Sequence, residues 1–506
     1  MKTLKWIRVV LACIITVPTL LLFVDLLHIL PHNSAKLLHL QLVPALLGGF
    51  WGAAIFVVVL TLFFGRIYCS VICPAGVLQD TFSRLTSRGE KKNSKKRYFN
   101  YSKPNNWLRY GILAATLLAF VLGSSAFVLL LDPYSNMGRV MTDLVRPALI
   151  PINNLLAHAT SSMGEHAIHA VNPTGFSIVA IAIASLFLLV IAVMSLLRGR
   201  LYCNTICPVG TFLGLIARVA PFRVSVDDKA CNHCGVCART CKSECIDSKT
   251  SSIDNSRCVD CFNCLSSCSQ NALSYRFTKP AKSVKVGENA PKDSRRRNFL
   301  IVGATAMAAA PMAIAQNKLG VEKTEPIMPP GAGMRDNFNS KCTACHICVA
   351  QCPTNVLEPT AFDYGIMGLM QPKMSFERGF CQPDCTHCSN VCPTGAIHPL
   401  THEQKHVTQV GIAKFTRERC VVYLEETDCG ACSEHCPTQA VAMVDYVNGL
   451  RIPQVTAELC IGCGGCQYIC PARPKAIVVH ANIDQKVARS IPKEKMGAHK
   501  VEGFGF

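Results

Sequence analysis

The chain has 506 residues, room for three or four domains, and carries a formal net charge of +19. Hydrophobic residues make up 50% of it and the mean hydropathy is +0.28, above what a soluble protein of mixed surface needs, so a membrane part is expected. Much of the positive excess lies beside apolar segments, where it sets orientation, and nucleic-acid binding is the wrong inference from it. Nearly all of the 30 cysteines fall in ligand-type positions, which argues against a disulfide framework.

Four apolar stretches come first: 9–30, 45–64, 110–131 and 176–197. Each has about 20 residues, enough for a helix to cross ~30 Å of hydrocarbon. Lys2, Lys5 and Arg8 precede the first, which lacks the small-residue cleavage site of a signal peptide. The loop between the second and third holds Arg84, Arg88, Lys91, Lys92, Lys95, Lys96, Arg97, Lys103 and Arg109. The longer loop between the third and fourth has only Arg139 and Arg146, and the first loop only Lys36. The positive-inside rule then puts both ends of this unit, residues 1–222, in the cytoplasm.

The unit is an internal duplication. R-I-Y-C-S-V-I-C-P-A-G (Arg66 to Gly76) follows the second stretch and R-L-Y-C-N-T-I-C-P-V-G (Arg200 to Gly210) follows the fourth. On a helix Cys69 and Cys73 share a face, as do Cys203 and Cys207, so packing of the repeats would bring four thiols together. The bland alternative is four small buried apolar residues; the functional one is a redox or metal centre of unspecified kind. Asp25 and His28 lie one turn apart near the outer end of the first stretch, with His32 beyond and Asp132 ending the third on the same side. His158, His166 and His169 follow in the outer loop. The Asp25–His28 pair could take protons from a quinol, against the alternative of interfacial groups with no chemical role.

From residue 223 to 278 the chain reads as a soluble module. Cys231, Cys234, Cys237, Cys241 and then Cys258, Cys261, Cys264, Cys268 have the spacing of a two-cluster ferredoxin. One [4Fe–4S] cube would take Cys231, Cys234, Cys237 and Cys268; the other would take Cys258, Cys261, Cys264 and Cys241, with Cys245 as a less suited substitute for Cys241. Lys242 and Ser269 stand where prolines usually follow the fourth cysteines. Residues 279–294 read as a polar linker. Arg295 to Ala315, with adjacent arginines before Phe299-Leu300 and a closing A-I-A, carries a twin-arginine export signature, so 295–316 is a signal or a fifth membrane anchor.

Residues 317–506 hold four further runs: Cys342, Cys345, Cys348, Cys352; Cys381, Cys385, Cys388, Cys392; Cys420, Cys429, Cys432, Cys436; and Cys460, Cys463, Cys466, Cys470. Zinc ribbons use separated C-x2-C pairs without a third cysteine two residues on, so four more [4Fe–4S] clusters are expected, six in all. The expected fold class is a membrane α-helical four-span unit plus two small α+β ferredoxin-like iron–sulfur modules, one with two clusters and one with four.

With these motifs in place, residues 1 to about 285 resemble the NapH family, on the four spans, the two C-x3-C-P motifs and the trailing ferredoxin. Residues from about 292 onward resemble the MauM/NapG ferredoxin type, on the twin-arginine segment, Pro329 to Ala332 and the four Cys-Pro runs. The resemblance implies a protein of the bacterial inner membrane that oxidises quinol from the membrane pool. It also implies periplasmic acceptors, a cytochrome c or a molybdenum reductase of the nitrate-reductase kind, and use of the twin-arginine export machinery. From related subunits it implies that outer runs pair and inner runs pair: Cys342, Cys345, Cys348 with Cys470; Cys460, Cys463, Cys466 with Cys352; Cys381, Cys385, Cys388 with Cys436; Cys420, Cys429, Cys432 with Cys392. Pairing of consecutive runs is the alternative. A metal-handling protein of the CcoG type, or a maturation factor of the NosR type with an exported flavin-binding domain before its first span, are the competing readings. Two clusters would face the cytoplasm and four the periplasm, ~30 Å of hydrocarbon apart, with quinol joining the halves.

Overall fold

The computed structural model describes residues 2–27, 29–88, 99–121, 126–163, 168–172, 175, 177–278, 325–365 and 368–489. The linker at 279–294, the twin-arginine segment at 295–316, His28, His166 and the basic residues Lys91 to Arg97 lie outside the described residues.

Lys2–Val24 is one helix of 23 residues and Ile178–Arg198 one of 21. Among the described residues these two are long and apolar enough to cross a membrane. The other two expected spans are shorter or divided. The stretch 45–64 ends one short helix at Leu47, turns through Gly49 at φ +74, and resumes as Trp51–Phe64. A glycine pair tolerates that turn, which residues with a Cβ resist. The stretch 110–131 is met by Asn106–Val121 and Ala126–Leu131. The expected outer loop is itself largely helical: Pro133–Arg139, a π-helical Val140–Val145, and Arg146–Ser161. Asp132 caps the first of these by accepting from Ser135 N at 2.9 Å, with Pro133 in the first turn.

The helices form a bundle with a cysteine-rich domain on each end. At one end Phe64 O accepts from Tyr275 Oη at 3.1 Å, Arg66 Nη1 donates to Ser256 O at 3.1 Å, and Arg200 N donates to Lys242 O at 2.9 Å. Residues 222–278 are docked there. Their frame is the antiparallel pair Phe222–Val226 and Leu273–Phe277, over a core of Val224, Ile246, Phe262 and Leu265.

The larger domain, from residue 325, docks on the other end. Gln351 Nε2 donates to Leu22 O at 2.7 Å, Arg139 Nη1 to Ala344 O at 3.5 Å, and Arg146 to Ala350 O. Buried His346 places Nδ1 2.8 Å from the Asp143 carboxylate and Nε2 2.9 Å from Met370 O, which fixes the ring across the interface. Asp143 belongs to the π-helical stretch, the kind of local irregularity that re-aims a functional side chain. Leu22, Phe23, Leu38, Tyr134, Ile347 and Val391 close the joint as one apolar cluster. Within the domain, Thr408–Phe415 pairs antiparallel with Ile477–Val487, and Val441–Asp445 with Arg451–Val455.

A Cβ at Gly138 would sit 2.4 Å from Cys345 O. Gly138→Ala is therefore expected to loosen this dock by about 1–3 kcal/mol, the usual cost of overpacking. Faster amide exchange over residues 342–352 in the variant is the readout; unchanged exchange would show that the joint carries no such constraint.

Candidate iron–sulfur and thiol sites

Four of the cysteine runs turn in the same way. Two left-handed residues flank the second cysteine: His233 and Gly235, Asp260 and Phe262, Ala344 and His346, Gly462 and Gly464. L-residues visit this region only under constraint, and alternating it with right-handed residues points successive N–H groups into one concavity, the nest that receives anions and iron–sulfur centres. A short helix then carries the third cysteine: Val236–Thr240, Asn263–Ser267, Ile347–Ala350 and Gly465–Ile469.

The thiols line separate cavities. Cys231, Cys234, Cys237 and Cys268 share one; Cys241, Cys245, Cys258, Cys261 and Cys264 share a second, as spacing led one to expect. Cys245 was set aside on sequence, yet its sulfur is buried 3.5 Å from that of Cys241. Hydrogen bonding from Cys245 pulls Cys241 down to about 7. In the larger domain, Cys352, Cys381, Cys385 and Cys388 line one cavity and Cys420, Cys429, Cys432 and Cys470 another. Cys392 lies within electrostatic reach of Cys342, Cys345 and Cys348, and Cys436 within reach of Cys460, Cys463 and Cys466.

This corrects the outer-with-outer, inner-with-inner grouping. Consecutive runs pair, and the reason is local. Helix Ile347–Ala350 packs on His387–Val391, and Ala431–Glu434 on Gly465–Ile469, so each pair closes on itself before the two are joined. Shorter closures cost less chain entropy. Among the described residues no three donors gather closely enough to share a single metal ion. Nests, four-thiol cavities and backbone donors to sulfur, such as Ala440 N to Cys436 at 3.2 Å, fit cubes instead. Burial pushes Cys345, Cys432 and Cys463 up to about 12, so each stays protonated until iron displaces its proton.

The cavities form a row. Cys237 lies within reach of Cys264, Cys348 of Cys388, Cys381 of Cys463, and Cys432 of Cys466. Between the two domains sit the duplicated motifs. Cys69, Cys73, Cys203 and Cys207 are all buried in one apolar core with Tyr68, Tyr202 and Val259, and Cys261 packs against it. The first motif turns back into the bundle: Tyr68 Oη donates toward Gln41 Oε1 at 3.1 Å, and Ile72 O accepts from Gln41 Nε2 at 3.2 Å. Arg66 and Arg200, to which the sequence reading gave no role, are fully buried beside these thiols, and their repetition at the head of each motif was the available signal.

Of the Asp25–His28 pair, His28 lies outside the described residues. Asp25 closes its own turn, accepting from Ile29 N at 3.1 Å and Leu30 N at 2.9 Å. A cleft of about 290 Å³ opens at the other end of the bundle. Leu108, Met194, Leu201 and Ile206 line its apolar side, and Glu244 and Arg257 its polar side.

A family model described as a 4Fe-4S binding domain matches residues 47–93 and again 179–226. Two models described as 4Fe-4S dicluster domains match 341–397 and 427–473. The chain is 30% identical over 167 residues to the methylamine utilization ferredoxin-type protein MauM of Methylophilus methylotrophus, which is 30% of this chain and 69% of that one. It is 28% identical over 145 residues to the ferredoxin-type protein NapF of Escherichia coli K12, 29% of this chain and 80% of that one. An uncharacterized protein of Methanocaldococcus jannaschii is 34% identical over 110 residues, 22% of this chain, and the match spans only 44% of that protein. No solved structure matches the chain.

The pairing has a direct test. Cys470→Ser should remove the cluster signal of the Cys420 site and leave that of Cys342, Cys345 and Cys348 intact, read by iron content and electron paramagnetic resonance. Loss at the Cys342 site instead would restore the outer pairing.

Proposed function

Because the chain belongs to the ferredoxin-type iron–sulfur electron-transfer proteins that include MauM, we propose that it is a membrane-bound member that oxidises quinol and passes the electrons to an acceptor outside the cytoplasmic membrane. The observation that carries this reading is a helix bundle with an apolar exterior and a cysteine-lined domain on each end. Large apolar side chains stand exposed along its helices, among them Ile14 and Val17, Ile55 and Phe56, Leu117 and Leu118, and Leu186 and Leu189. Apolar surface on that scale needs lipid or a partner to cover it. Four crossings, the third and second of them short or divided, would leave residues 222–278 in the cytoplasm and the larger domain outside, exported by the segment at 295–316. Six [4Fe–4S] clusters on the 24 run cysteines complete the proposal, and each supplies a one-electron store when bound.

The cleft beside residues 102–108 is the better place for quinol than Asp25. Its size suits a ring with the tail left in lipid, since whole-ligand pockets are larger. Glu244 and Arg257 offer polar contacts to the ring oxygens, and Ser243 and Glu244 follow directly on Cys241 and Lys242. Burial raises the Glu244 carboxyl above the usual range, which suits a group that takes a proton from the ring.

A short-tailed quinol added to anaerobic protein in nanodiscs should bleach the cluster absorbance. Leu108→Trp, which fills the cleft, should slow that bleaching about tenfold or more, as loss of a well-placed site does, while dithionite still reduces both proteins fully. Equal quinol rates in the two proteins would sink the cleft, and no bleaching by quinol in either would sink quinol oxidation.

A further inference from the structure

We propose that Cys69, Cys73, Cys203 and Cys207 together hold one iron–sulfur centre, shared by the two repeats, which joins the two banks of cysteine cavities into a single electron route. The route rests on the electron-transfer reading above; the centre itself stands on the residues.

Each repeat brings only two cysteines, too few for a cluster alone. The fold supplies the other two: every pairing among the four thiols lies within electrostatic reach. The repeats are clamped reciprocally around them. Arg66 of the first donates to Cys203 O of the second at 3.2 Å, and Arg200 of the second donates to Cys69 O of the first at 2.6 Å. Gly76 and Gly210 leave room for these guanidinium groups, since a Cβ would lie 3.1 Å from Arg200 Nη1 and 2.8 Å from Arg66 Nη2, respectively. Cys207 caps the Pro208–Ile216 helix, its sulfur accepting from Gly210 N at 3.3 Å. Cys73 immediately precedes the Pro74–Arg88 helix, so two positive helix ends bear on the site.

Charge points the same way. Arg8, Arg66, Arg109, Arg200 and Lys242 are buried here, and the buried carboxylates beside them are Asp80 and Asp260. Positive charges in excess of the carboxylates are thereby left for something else to balance. Neutral thiols would leave them unpaired in an apolar core, at a cost of several kcal/mol each. A cluster on four cysteinates carries about −2 and offsets much of that excess. Arg66 Nη2 already lies 3.8 Å from Cys69 Sγ and Gln79 Nε2 2.9 Å from Cys203 Sγ, while Arg66 Nε and Gln79 Oε1 are buried without a partner.

The position makes it a bridge. Cys261 packs against the core that holds the four thiols. On the far side Tyr202 Oη reaches Leu131 O at 3.4 Å, and Tyr134 lies within reach of Cys345 and Cys392. The centre would take one electron from the cluster at Cys261 and return it to the cluster at Cys345. No atom is transferred, and the flanking guanidinium groups offset the added negative charge.

Iron and acid-labile sulfide in the full-length anaerobic protein test this. Six cubes account for about 24 irons per chain, and the wild type should exceed that by two or four. Cys73→Ser combined with Cys207→Ser should lose the excess and keep the resonance signals of the ferredoxin cubes, which also reports that the protein has folded. Iron equal in both, or zinc in place of the excess, would overturn the proposal. If the double variant does not accumulate, Arg66→Gln should lower one midpoint potential and leave the others unmoved; all potentials unmoved would overturn it equally. A protein that holds the extra centre yet is not reduced by quinol fails the proposed function and leaves this inference standing.

Discussion

Asp80 is the knot on which the bundle depends. Its carboxylate lies 3.2 Å from Arg8 Nη1, 2.8 Å from Arg200 Nε and 3.4 Å from Lys242 Nζ, all buried. One acid thus ties the first helix, the second repeat and the smaller cysteine domain to the helix that follows Cys73. Breaking a buried ionic contact by removing one partner typically costs about 3–5 kcal/mol. The knot also carries more cation than anion, a condition an apolar bundle does not tolerate alone. The four thiols beside it resolve that condition, so the charge arrangement and the duplicated motif have a common physical cause.

The same geometry changes how the two ends relate. A gap of ~30 Å of hydrocarbon called for a mobile carrier between the halves. The Trp51–Phe64 helix, at 14 residues, is only about 21 Å long at 1.5 Å per residue. The first motif folds back from its end into the bundle, and the larger domain presses Cys345 and Ile347 onto the opposite end. Thiols therefore recur along the whole axis, from Cys231 through Cys69 and Cys345 to Cys420. Under the proposed function, quinol is then a substrate at the side of this row and no longer the link within it.

Much of the site was legible in the spacing of cysteines. A C-x2-C-x2-C loop is a local object, and its left-handed turns at Asp260 and Phe262, or Ala344 and His346, follow from sequence neighbours alone. The thiol sets of the smaller domain were readable for the same reason. Run pairing in the larger domain was not, because it depends on which short helices pack together, and a spacing pattern does not record that. Cys245 looked surplus because nothing in its neighbours shows that the chain curls to bring it beside Cys241. Asp143 and His346 are 203 positions apart and meet only when two domains dock. Arg66 and Arg200 drew no reading of their own; that both head a repeated motif was the sign of their place beside the thiols.

The central claim is that electrons cross the bundle through the protein itself. The most direct measurement uses sealed vesicles of quinone-free lipid containing the full-length protein, with ferricyanide trapped inside and a membrane-impermeant low-potential reductant outside. The trapped ferricyanide should bleach at a rate proportional to the protein present, with no quinone added. Bleaching that begins only when a quinone is supplied would contradict it.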